Sequence, residues 1–194
     1  MNWRKLRGIV MDRKKTTEFL GSLLASDRLS GAGKYWAKEV SIDPWAAKGT
    51  PKRVDYMQFV PDRQLSVSDI EKGIFVCYEI KSCKQDVYSG NGLNFLGEKN
   101  YIVTTMECYK DLLQDFRDGT FARHLHEAAP ESSSHFGIMV AIPFMSEMTD
   151  EFENPTKIDC ENVQWKLAVI QKCVPGLRKR PMTELLFCML RSGH

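Results

Sequence analysis

The stretch that decides the fold lies at residues 75–86, FVCYEIKSCKQD, where Glu79 and Lys81 interrupt the most apolar predicted strand of the chain. A second apolar run at 53–60, RVDYMQFV, carries Asp55 in a comparable place. A charged side chain within such a run costs free energy unless another group pairs with it or uses it. We therefore expect these three residues to form either a buried ion-pair network or a functional site.

The alternation of side chains along a strand decides which of these charges can meet. Glu79 and Lys81 are two residues apart, so they point to one face with their Cα atoms roughly 7 Å apart. Tyr78 and Ile80 point to the opposite face. If the two apolar strands are neighbours, Asp55 can join Glu79 on the first face.

Two carboxylates that converge at the end of a sheet are suitable ligands for a hard divalent cation such as Mg²⁺ or Mn²⁺. Water and a substrate phosphate would complete the coordination of the cation by Asp55 and Glu79. Lys81 beside them could orient or deprotonate an attacking water and stabilise negative charge on phosphorus. The pattern is typical of metal-assisted phosphodiester hydrolysis. A buried ion pair of Lys81 with either acid, serving only the fold, explains the same spacing.

Outward from these strands, hydrophobic periodicity predicts alternating strands and helices. A first helix is expected at 12–29, a polar linker at 61–73, an amphipathic helix at 109–128 that Gly119 can split, and a closing helix at 180–193. Six strands are predicted, at 35–43, 52–60, 74–83, 101–106, 136–144 and 165–173. Connections long enough to contain a helix favour parallel pairs within a mixed, covered sheet. We expect one α/β or α+β domain spanning 1–194.

Composition describes an ordinary globular chain of 194 residues with a net charge of +2. Such a small net charge gives no indication of a nucleic acid or a membrane as partner. The six cysteines form no C-x-x-C pair, and neither a secretory signal nor a membrane-spanning run is present. We therefore expect a reducing, cytoplasmic location without membrane attachment. Basic residues concentrate at 1–15 and 178–191, where they could contact phosphates if both ends meet on one face.

Asp55 followed by Glu79-Ile80-Lys81, with a helix before and an α–β unit after, resembles the PD-(D/E)XK nuclease superfamily. Within that superfamily, residues 35–105 resemble the MmcB-like DNA-repair proteins and related phage or bacterial proteins. The likeness rests on Arg53 before the motif aspartate, and on the run Glu79-Ile80-Lys81-Ser82 followed by Asp86. Val54 stands where the superfamily name has proline.

The resemblance implies a restriction-endonuclease-like mixed sheet with flanking helices. It also implies Asp55 and Glu79 as ligands of Mg²⁺ or Mn²⁺, and Lys81 as the catalytic lysine. The partner would be nucleic acid, with DNA expected, in repair, recombination or the processing of phage or mobile elements. Many members add an acid from the first helix or its vicinity, and the sequence does not choose between Glu18 and Glu39.

Two further interpretations remain open. The chain could be a catalytically silent nuclease-fold protein that binds nucleic acid or a protein partner, or a restriction-like component that needs a partner chain. The sequence does not distinguish a monomer from a homodimer. Among other polar residues, His124 and His126 have poor ligand spacing and are expected to be exposed, and Asp86 is expected to cap the helix that follows.

Overall fold

The computed structural model describes residues 3–43, 52–63, 66–158 and 162–192, with side chains described from residue 13 onward. Residues 44–51 lie outside these ranges, as do residues 159–161, which end an acidic stretch that begins at Glu147. No helix in the part of the chain described has both the length and the apolar character needed to cross a membrane.

A six-stranded mixed sheet forms the centre of the described chain, and its spatial order follows the chain order. The strands are β1 Tyr35–Ile42, β2 Lys52–Val60, β3 Ile74–Lys81, β4 Lys99–Thr105, β5 Gly137–Pro143 and β6 Trp165–Gln171. Pairing is antiparallel from β1 to β3, parallel from β3 to β5 and antiparallel between β5 and β6. The mixed α/β sheet and its six strands confirm the prediction.

The helices differ more from the expectation. They are α1 Trp3–Leu24, α2 Val67–Glu71, α3 Lys84–Val87, α4 Met106–Arg117, α5 Thr120–Ala128, α6 Met148–Glu153 and α7 Met182–Ser192. The predicted start of the first helix at residue 12 is wrong, because lysine, arginine and leucine are good helix formers and continue the helix back to Trp3. The predicted break at Gly119 is confirmed, since that glycine has φ +78, a value that side chains disfavour.

Two short helices lie where only polar connections were expected. In the 61–73 linker, α2 begins because the Ser66 hydroxyl accepts a hydrogen bond from the Asp69 N–H at 3.3 Å. In the acidic stretch, α6 carries Asp150 and Glu151 in its first turn, where negative charge stabilises a helix N-terminus. Both helices have six residues or fewer, too short for hydrophobic periodicity to predict.

Helices cover both faces of the sheet. On one face, Leu20 and Leu24 of α1 pack against Tyr78 and Ile80 of β3. On the other, Leu185 and Cys188 of α7 pack against β1 to β3, and α4 and α5 form a neighbouring cluster. Because side chains alternate, Glu79 and Lys81 point away from α1, on the face of Phe75 and Cys77. They reach that face at the carboxyl end of β3.

The outer edge of β6 is closed by the end of the first helix. After Leu24 the chain continues as a π-helical turn, Ala25–Leu29. The Asp27 carboxylate accepts from the Leu167 N–H at 3.3 Å, and the Arg28 guanidinium donates to the Leu167 carbonyl at 2.6 Å. These side chains bind the N–H and the carbonyl of Leu167, so those groups are not free to pair with a further strand at this edge.

Candidate functional site

The site begins where β2 and β3 stop pairing. Their ladder ends at the pair Tyr56 and Tyr78. One residue further, the Asp55 carboxylate accepts from the Ile80 N–H at 2.8 Å. The side chain of Asp55 therefore replaces a backbone partner, which holds its carboxylate between the ends of the two strands and beside the Glu79–Lys81 segment.

Glu79 is fully buried. Its Oε1 accepts from the Asn94 N–H at 3.1 Å, whereas its Oε2 has no hydrogen-bond partner among the described residues. Buried polar groups are normally satisfied, so an orphaned carboxylate oxygen requires either a proton or an additional positive group. Burial, followed by the charge of Asp55, raises the pKa of Glu79 to about 8, although Lys81 opposes the shift.

Burial also raises the pKa of Asp55 above its ordinary value. The Ile80 N–H and the positive charges of Lys81 and Arg53 act in the opposite direction. The charge of Asp55 thus makes ionisation of Glu79 more costly. A metal-free site of this kind favours uptake of a proton or of a cation.

Lys81 is also buried, with 4% of its surface exposed. Its ammonium donates to the Asn91 carbonyl at 2.8 Å. A Cβ added to Gly92 would lie 2.6 Å from Glu79 Oε2 and 2.7 Å from Lys81 Nζ, so both charged groups meet the backbone at Gly92. The ammonium and the unpartnered carboxylate oxygen therefore face the same glycine.

Residues 89–93, which we call the covering loop, close over Glu79. The loop turns through positive φ angles at Gly90 (+77), Gly92 (+79) and Leu93 (+60). Glycine tolerates this conformation, and at Gly92 the contacts just described leave no room for a side chain. The SGNG sequence at 89–92 is a surface turn, with Ser89, Gly90 and Asn91 exposed, and the same segment buries Glu79.

An open cleft of about 980 Å³ lies at this end of the sheet. Asp55, Lys81 and the covering loop line it, but Glu79 does not, because the loop lies in between. Its charged lining residues are balanced in number: Arg13, Lys52, Arg53 and Lys81 against Asp43, Asp55, Asp86 and Glu131. The cleft is therefore not a strongly basic groove.

Ion pairs account for this balance. Arg13 lies 3.3 Å from Asp86, and Lys52 lies 2.5 Å from Glu131. From the C-terminal basic segment, Arg180 pairs with Glu131 at 3.2 Å. Arg13 and Arg180, one from each basic end, thus lie in or near the cleft, but neighbouring carboxylates neutralise them.

The two candidate third acids lie in different places. Glu18 is on α1, where it pairs with Lys14 at 3.8 Å and does not line the cleft. Glu39 pairs with Arg53 at 2.6 Å, and its charge contributes to raising the pKa of Asp55. Glu39 also has φ +56, an uncommon value for a residue with a side chain.

Other polar residues have structural contacts. Asp86 lies within α3 rather than before it, and accepts from the Ser82 N–H at 3.1 Å, so it stabilises the helix start from inside the first turn. His124 contacts the Tyr88 ring at 4.6 Å and the Val87 carbonyl at 3.2 Å.

Asn94 is the residue whose place sequence reasoning missed. Only 8% of its surface is exposed. Its side-chain amide donates to the Arg53 carbonyl at 2.8 Å while its N–H donates to Glu79. Its side chain points inward because the neighbouring Phe95 and Leu96 are buried and anchor the segment. These two adjacent apolar residues were the feature of the sequence from which the burial could have been predicted.

The donor set fits a cation that brings its own water. Within the ranges described, no three His, Cys, Asp or Glu side chains form a ready-made metal cluster. Mg²⁺ is commonly bound through one or two carboxylates plus water and substrate phosphate, which Asp55 and Glu79 can satisfy. The unpartnered Glu79 Oε2 is the atom that such an ion would use.

Comparisons of the chain with protein-family models, with curated proteins and with solved structures gave no match. The resemblance of residues 35–105 to the PD-(D/E)XK superfamily thus rests on the motif residues themselves.

Proposed function

We propose that this chain is a metal-dependent nuclease of the PD-(D/E)XK type that hydrolyses phosphodiester bonds, with DNA as the expected substrate and Mg²⁺ or Mn²⁺ as cofactor. The observation that carries the proposal is the unpartnered Oε2 of the buried Glu79, which faces the same glycine, Gly92, as the Lys81 ammonium. Asp55, held at the same strand end by the Ile80 N–H, supplies the second carboxylate.

Each residue has a distinct part in such a reaction. Asp55 and Glu79 would hold the cation, whose positive charge would offset the repulsion that Asp55 exerts on an ionised Glu79. When bound, the cation supplies Lewis-acid polarisation of the phosphate and a lowered pKa of bound water. Lys81 lines the cleft, where its ammonium can stabilise negative charge on the phosphate. The Asn91 carbonyl keeps that ammonium in place.

A catalytically silent protein that keeps the site for structural reasons is the second candidate. The balanced charge of the cleft favours it, because neighbouring carboxylates already neutralise Arg13 and Lys52. The burial of Glu79 beneath the covering loop favours it as well. The two candidates differ in how the free energy of unfolding responds to Mn²⁺ and to removal of one acid.

Thermal melts of the wild type and of Asp55→Asn, each in EDTA and in Mn²⁺, test the proposal. Asn keeps an oxygen that can accept from the Ile80 N–H, so the substitution removes mainly the charge. For a metal site, Mn²⁺ at about 100 times its Kd adds about 2.7 kcal/mol to wild-type stability, or roughly 5–10 °C in Tm. Asp55→Asn should lose this response while melting at or above the wild-type temperature in EDTA.

Asp115→Asn is the matched control. Asp115 forms an ion pair with Lys84 at 2.8 Å, and it does not line the cleft. It should keep the full response to Mn²⁺. If Asp55 belongs to a structural network, Asp55→Asn leaves Lys81 poorly paired at a cost of roughly 3–5 kcal/mol. An Asp55→Asn protein that melts far below the wild type in EDTA, with no Mn²⁺ effect on either, would end the nuclease proposal.

A direct assay completes the test. Wild-type protein is incubated with labelled single-stranded DNA, duplex DNA and RNA in Mg²⁺, alongside Lys81→Met. Lys81 acts in the chemical step if the wild type cleaves a substrate and Lys81→Met does not, while Lys81→Met is still stabilised by Mn²⁺ in thermal melts. Metal binding without cleavage of any substrate would instead favour the silent protein.

A further inference from the structure

We propose that Asn94 is a positioning residue, which fixes the Glu79 carboxylate relative to Asp55 and selects the carboxylate oxygen left free for a cation. The inference rests on the proposed function, because a free oxygen at Glu79 matters to activity only if a cation uses it. Asn94 lines the cleft, but in this role it acts through Glu79 rather than on the cation.

The two bonds of Asn94 join the acid-bearing strands. Its side-chain amide donates to the carbonyl of Arg53, two residues before Asp55 on β2, at 2.8 Å. Its backbone N–H donates to Glu79 Oε1 on β3 at 3.1 Å. One buried residue therefore ties the Glu79 carboxylate to the backbone that carries Asp55.

This connection matters because the strands have already stopped pairing. The β2–β3 ladder ends at Tyr56 and Tyr78, so the spacing of Asp55 and Glu79 depends on contacts beyond the regular sheet. The bond from the Ile80 N–H to Asp55 is one such contact, and the bond from Asn94 to the Arg53 carbonyl is another. Loss of the second would let the segment that carries Asn94 move away from β2.

Asn94 also decides how Glu79 is oriented. With Oε1 held by the Asn94 N–H, Oε2 is the oxygen that turns towards Gly92 and Lys81 and lacks a partner. Phe95 and Leu96 are buried on the C-terminal side of this donor, and the Phe95 N–H donates to the Ser132 hydroxyl at 3.1 Å. On the side of β2, the bond from the Asn94 amide to the Arg53 carbonyl holds the donor in place.

The test compares Mn²⁺ binding by wild type, Asn94→Ala and Asn100→Ala, measured by calorimetric titration well below every melting temperature. Asn100 is the matched control, because it is fully buried and its amide also donates to a backbone carbonyl, that of Gly97 at 3.0 Å. It does not line the cleft. Both variants should lower Tm in EDTA, so Tm reports the structural loss and the Kd reports the positioning.

Loss of an outer contact that orients a metal ligand typically weakens metal affinity by about 10–100-fold. We expect a Kd for Mn²⁺ raised by about tenfold or more in Asn94→Ala and unchanged in Asn100→Ala. If Asn94→Ala does not fold, Asn94→Ser, which keeps a small polar side chain without the amide, should show the same weakening.

The outcomes separate this inference from the function on which it rests. Equal affinity in wild type and Asn94→Ala overturns the positioning role and leaves the metal site standing. Equal weakening in both variants also overturns it, because the effect would then follow from lost stability alone. A wild type that does not bind Mn²⁺ overturns the proposed function, and the positioning role with it.

Discussion

Gly92→Ala should destabilise the metal-free protein more than Gly90→Ala, although both replace a glycine of the covering loop. The two positions have nearly the same backbone conformation, with φ +79 at Gly92 and +77 at Gly90. They differ in surroundings, because a Cβ at Gly90 meets nothing within 4 Å. A Cβ at Gly92 lies 2.6 Å from Glu79 Oε2 and 2.7 Å from Lys81 Nζ.

The expected magnitude follows from these contacts. A side chain at positive φ costs roughly 1–2 kcal/mol, and both variants incur this strain. Gly92→Ala must in addition displace Lys81 or the loop, which breaks the bond from the ammonium to the Asn91 carbonyl. A hydrogen bond to a charged group contributes about 1.5–3 kcal/mol. A difference of about 2 kcal/mol corresponds to roughly 4–8 °C in Tm for a chain of this size.

Urea unfolding and thermal melts of wild type, Gly90→Ala and Gly92→Ala in EDTA measure this difference. Gly90→Ala isolates the strain of the backbone, and the additional loss in Gly92→Ala reports the contact with Glu79 and Lys81. Equal destabilisation by the two substitutions would refute the close approach of the covering loop to these side chains.

Two further predictions concern pH and salt. Because the pKa of Glu79 is raised to about 8, the folded protein keeps a proton that the unfolded chain has released. In EDTA, the free energy of unfolding should therefore decrease as the pH rises from about 5 to about 8. Glu79→Gln should flatten most of this slope in urea unfolding, and an unchanged slope would contradict the shift. If the cleft binds nucleic acid, the affinity for a labelled DNA duplex should fall steeply with salt in anisotropy titrations. Arg13→Gln should reduce the slope of log affinity against log salt by about 1 if Arg13 contacts a phosphate; salt-independent binding, or none at low salt, would count against the nucleic-acid partner.

Local pattern was sufficient to predict the central strands. The bounds of β2 were predicted at 52–60 as they are observed, and β3 was predicted only two residues too long. The same alternation predicted that Glu79 and Lys81 share one face and that Ile80 faces the other, against α1. These properties depend on neighbouring residues in one strand, so they can be read from a few positions.

The arrangement of the site depended on contacts between distant segments. The strands diverge after the pair Tyr56 and Tyr78, where the β2–β3 ladder stops. The Asp55 carboxylate then accepts the hydrogen bond of the Ile80 N–H. The full burial of Glu79 follows from the covering loop, which lies ten to fourteen residues later in the chain. Alternation states which face a side chain occupies, but its burial is decided by whatever packs on that face.

The amino-acid sequence by itself thus determined the mixed sheet and the placement of three charged residues on its neighbouring central strands. Only the tertiary structure decided that Asn94 points inward, that Glu79 Oε2 has no partner, and that ion pairs balance the cleft. The physical reason is that strand formation follows local alternation and apolar content, whereas hydrogen bonding and burial depend on residues brought together by the fold.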